Sequence, residues 1–97
     1  MINTQIIHTN YDFEKEIEGK YNDFEINEIA KKEAFKKSTE KVNTIITNNN
    51  IQKENILEYK TEYSINGGTS YTSKNEFSTV KVAQRFVTIK VTLSWWY

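Results

Sequence analysis

The sequence predicts a single α+β domain over residues 1–97, with one long amphipathic helix packed on an antiparallel sheet in the approximate order β-(short α)-α-β-β. Three observations carry this. Apolar residues in the first half recur at helical spacing, two segments of the second half alternate strictly between apolar and polar residues, and 97 residues suffice for one hydrophobic core but not two.

A strand is expected at residues 2–9, and residues 11–19 read as either a second strand or a short helix closed by Gly19, the helix being preferred. The long helix should begin at Asn22, whose side chain can cap the free amides, with Glu25 three residues on completing a capping-box-like pair. Ala30, Ala34, Val42 and Ile45 form one stripe with Ile26, Phe35 and Ile46 at its margins, while Lys32, Lys36 and Glu40 fall on other faces. Asp23, Glu25 and Glu28 at the amino end, and Lys36, Lys37 and Lys41 toward the carboxyl end, both complement the helix dipole. The helix should end near Thr47, because Asn48, Asn49 and Asn50 tolerate left-handed backbone and compete for its hydrogen bonds.

Beyond the asparagines, Leu57, Tyr59, Thr61, Tyr63 and Ile65 alternate with Glu58, Lys60, Glu62 and Ser64, the pattern of a half-buried strand. Asn66, Gly67 and Gly68 should break it into an exposed hairpin loop running to Lys74. Val87, Ile89, Val91, Leu93, Trp95 and Tyr97 then share one face of a long closing strand. Val80 and Val82 are out of phase with that set, which implies a bulge or a strand start near Arg85, with Phe86 marking the change.

Composition narrows the function classes. Six Tyr, five Phe and two Trp supply too much apolar surface for a disordered polar chain. Thirteen basic residues balance thirteen acidic ones, which disfavours nucleic acid and anionic membrane as partners. The absence of cysteine excludes disulfides and thiolate chemistry. Neither a leader segment nor a spanning apolar run is evident, so a cytoplasmic location is expected. A bias toward Asn, Lys, Ile, Glu and Thr without proline suits an AT-rich coding sequence, bacterial or phage.

Groups that could carry catalysis are sparse. His8 is the only imidazole, and abundant Ser and Asp around a lone His do not define a triad. Asp12, Glu14, Glu16 and Glu18 alternate and would line one face of an extended segment, either for acid–base work or as a solvated acidic row. No oxygen-rich tight loop suggests a metal, and Gly67-Gly68 lacks the lysine and helix entry of a phosphate loop. Neither cofactor nor metal is therefore expected. The aromatic positions Tyr59, Tyr63 and Trp96 read instead as binding positions, Trp96 because alternation places it on the polar face with Lys90, Thr92 and Ser94. Arg85 joins them as one of the basic residues interleaved with an aromatic over Lys81, Arg85, Phe86 and Lys90.

The order of strand, long helix, asparagine turn, residues 51–56 (Ile-Gln-Lys-Glu-Asn-Ile), alternating strand, Gly-Gly loop and closing strand resembles the front half of a SIMPL domain over residues 26–93. That family is mostly exported, and some members resemble assemblies of many subunits, so the resemblance implies a fold rather than an activity. The strand–helix–strand–strand order and residues 87–91 (Val-Thr-Ile-Lys-Val) are also similar to the flavin-storing dodecins. Phe86 stands where that family has its flavin-contacting Gln, and its stacking Trp has no counterpart near Ile56, so flavin is not implied. The reading that combines these points is a non-enzymatic homo-oligomeric protein binding a small ligand or a partner. The alternative is a phage or mobile-element inhibitor that occludes a host defence protein.

Overall fold

In a computed structural model, the described residues are 1–17, 22–76 and 78–97, with the side chains of Thr72 and Lys74 left aside. Three long strands, β1 (Ile2–Ile17), β2 (Ile56–Asn75) and β3 (Ser78–Trp96), form one antiparallel sheet in the order β1-β3-β2. The helix α1 (Asp23–Asn48) carries the chain from β1 to the far side of β3, and a single 3₁₀ turn at Lys53–Asn55 leads into β2. The α+β class and the packing of one long helix on an antiparallel sheet are as the sequence predicts.

The helix starts and stops where its caps dictate. Asn22 Oδ1 accepts the Glu25 amide at 2.8 Å, satisfying one of the free donors of the first turn. At the other end Asn50 takes the left-handed conformation at φ 51°, and the Asn50 and Ile51 amides reach back to the carbonyls of Thr47 and Ile46. This pair of reversed hydrogen bonds closes the last turn and delivers Ile51 into the core.

Ile26, Ala30, Ala34, Ser38 and Val42 are the buried helix residues, spaced four apart. Three small side chains in the middle of that row let the helix axis approach the sheet closely. Beneath it lie Ile7, Thr9 and Phe13 of β1 and Val87, Ile89, Val91, Leu93 and Trp95 of β3. Ser38 lies outside the apolar stripe read from sequence, while Ile45 is only partly buried.

Three expectations are corrected. Residues 11–17 are strand, not a short helix: Phe13 and Ile17 are buried, Tyr11 is partly so, and β1 stays paired with β3 as far as Ile17 opposite Lys81. Gly19, the expected helix stop, lies outside the described residues. Asn66-Gly67-Gly68 does not break β2, which runs on to Asn75, so the polar residues assigned to a loop are paired with β3. The strand β3 has no bulge at Arg85; its register is continuous against β1 from Lys81 to Trp96. The irregularities lie in β2 instead, at Ile56/Glu58 and Ser73/Asn75.

Dimensions explain the change of phase near Arg85. The helix of 26 residues is about 39 Å long, whereas β2, with 20 residues, extends for about 66 Å. The molecule measures 64 Å along its long axis, so the helix cannot cover the hairpin end of the sheet. The buried alternation of β3 accordingly runs from Ala83 to Trp95, whereas Val80 and Val82, in the other phase, are only partly buried.

Candidate functional site

The helix packs against β3 and β1 but leaves the same face of β2 largely open. On the β1 side it is tied down by polar contacts: Tyr11 Oη donates to Glu33, Lys41 Nζ donates to the His8 carbonyl at 3.0 Å, and Lys37 lies 4.8 Å from the centre of the Tyr11 ring. The hydrogen bond to Glu33 raises the Tyr11 phenol above its usual range, helped by partial burial and the carboxylate charge. These ties hold the helix toward one edge of the sheet.

On the other side, Tyr63 touches the helix through two side chains. Its ring packs edge-on against Phe35, with centroids 5.5 Å apart and planes at 75°. Lys31 Nζ lies 5.1 Å above the ring and 3.5 Å from the phenol oxygen, and it also pairs with Glu28 at 3.5 Å. The bond to Tyr63 and then the Glu28 carboxylate raise the lysine's pKa. Tyr63 is nevertheless 50% exposed and Tyr59 49%. Both face the helix side of the sheet, opposite Ile89 and Leu93 respectively, with Thr61 between them. Beside Phe35 the helix surface bounds a hollow of about 430 Å³ with Glu28, Ile29, Lys31 and Lys32.

Of the four binding positions read from sequence, the structure brings together only Tyr59 and Tyr63. Arg85 is 4% exposed and committed internally. Its Nε donates to Asn27 Oδ1 at 2.7 Å, and Nη1 donates to the carbonyls of Gly68 and Gln84 at 2.7 and 2.8 Å. Nη2 reaches Asp23, a carboxylate so exposed that the neutral acceptors dominate the site's energetics. Gly67 lies opposite Arg85 at φ 131°, and a Cβ there would come within 2.2 Å of the Gln84 carbonyl oxygen. Gly67 thus serves close strand approach beside a buried guanidinium, while a Cβ at Gly68 would meet open space.

Trp96 is on the opposite face, half exposed and paired with Ile2. That uncovered face also holds Ile6, Phe86, and a central row in which His8, Lys90 and Glu62 lie side by side across the three strands. Hydroxyl pairs stitch it: Thr4 with Ser94 at 2.9 Å, Ser64 with Thr88 at 2.6 Å. Asp12, Glu14 and Glu16 are extended along one face of β1, all exposed; Glu18 lies outside the described residues.

Phe35 and Lys31 are not singled out by the sequence as part of a site, although Phe35 stands at the margin of the helical stripe. Among the described residues no group of acidic or histidine side chains could hold a metal ion, and no helix is long and apolar enough to cross a membrane. Comparison with protein-family models, curated proteins and solved structures returns no match to this chain.

Proposed function

We propose that the chain is a non-enzymatic, homo-oligomeric binding protein, and that it recognises a ligand or partner through the aromatic strip of β2. The single observation that carries the reading is the half-exposure of Tyr59 and Tyr63 on the strand the helix leaves largely open. Covering the open half of one such ring, on the order of 100 Å², contributes about 2.5 kcal/mol, so two rings make an effective anchor. Their backbone is fixed by pairing with β3, so little ordering entropy opposes binding.

The charged groups favour recognition over chemistry. His8 is exposed beside Lys90 and Glu62 on the open face, with no hydroxyl nucleophile bonded to its ring among the described residues. Native mass spectrometry of protein purified without denaturation tests the proposal. A multimer is expected for the wild-type chain, and Tyr59→Ala/Tyr63→Ala should lose any retained ligand and weaken association. A wild-type chain found only as a monomer without added mass would contradict it and favour the occluding-inhibitor alternative.

A further inference from the structure

We infer that two copies join through the outer edge of β2, antiparallel about a two-fold axis at Thr61, to make one six-stranded sheet. This rests on the homo-oligomeric reading and specifies its interface. As an edge strand, β2 has no strand beside its outer backbone groups among the described residues. Its sequence is close to self-complementary about Thr61. Antiparallel pairing centred there sets Lys60 opposite Glu62 of the second copy and Glu62 opposite its Lys60, while each Tyr59 meets a Tyr63. Opposite charges and aromatic pairs directly across a ladder are attractive.

Neighbouring registers fail by the same rule. Centring on Lys60 or on Glu62 places that residue against its own copy, with like charges in contact. Centring on Tyr59 pairs Glu58 with Lys60, but the irregularity at Ile56/Glu58 then cuts the clean ladder to residues 58–60, against 58–64 for the Thr61 axis. The other edge is less suited. Lys41 occupies the His8 carbonyl, and Asp12, Glu14 and Glu16 load the far half of β1 with negative charge.

The helices permit the arrangement because neither covers β2. From β3 of one copy to β3 of the other is three strand spacings, about 14 Å, more than the 8–10 Å of helices in contact. The joined sheet therefore carries a groove between the two helices, floored by four tyrosines and flanked by Phe35 and Lys31 of each copy.

Sedimentation velocity on Lys60→Glu and Glu62→Lys tests the register. Both positions are exposed, and circular dichroism verifies that each variant folds. Each variant alone should associate at least about tenfold more weakly than wild type, because both cross-copy pairs become like-charged. An equimolar mixture should recover dimers, since the two carboxylates of one variant then face the two ammonium groups of the other. Lys60 and Glu62 also pair within one chain at 3.2 Å, and that pair stays broken on mixing, so recovery reports the contact between copies. A dimeric wild type whose Glu62→Lys variant remains dimeric, or a mixture that stays monomeric, would overturn the Thr61 axis while leaving homo-oligomerisation intact. A wild type that is monomeric throughout would overturn both.

Discussion

Thr9 shows how a single atom can oppose an otherwise well-packed core. Its side chain is 2% exposed beneath the helix, and its Oγ1 has no hydrogen-bond partner among the described residues. Thr9→Val keeps the shape and removes the stranded hydroxyl, and it should raise unfolding free energy by about 1 kcal/mol in urea titration. Arg85 is the converse case, a charged side chain whose buried donors are met by Asn27 and two carbonyls. Sequence offers it as a binding residue because it stands among basic residues interleaved with an aromatic, Lys81, Phe86 and Lys90. Its burial depends on a helix start far away in the chain, which local pattern does not reveal. Tyr59 and Tyr63, by contrast, are legible as a pair, since a two-residue period fixes which side chains share a face.

At the scale of elements, the helix is readable because its signals are local: the Asn22 cap, the apolar stripe and the left-handed Asn50 all act within a few residues. Strand limits are harder. Glycines ordinarily end strands, yet Gly67 lies inside β2 because the Gln84 carbonyl approaches it too closely for any side chain. Gly67→Ala should therefore destabilise by more than about 1 kcal/mol, through both the contact and the positive φ, and thermal unfolding would register it. The stretch 11–17 is likewise ambiguous in sequence, since its polar residues suit several conformations and pairing with β3 decides among them. Tertiary pairing, absent from any local window, extends both strands.

The whole molecule is a long, thin sheet with a helix held toward one side, and that asymmetry is what exposes β2. Alternation makes the faces of the sheet readable, but not strand order, and without knowing that β3 is central neither edge can be recognised. The edge of β2 is where a second copy is expected to add. Amide hydrogen exchange followed over a range of protein concentrations tests this most directly, because outward-pointing amides of an edge strand exchange quickly until another strand covers them. Protection across residues 58–64 is expected to rise with concentration while residues 2–10 of β1 stay unchanged. Exchange in β2 that is indifferent to concentration, or protection that develops along β1 instead, would contradict it.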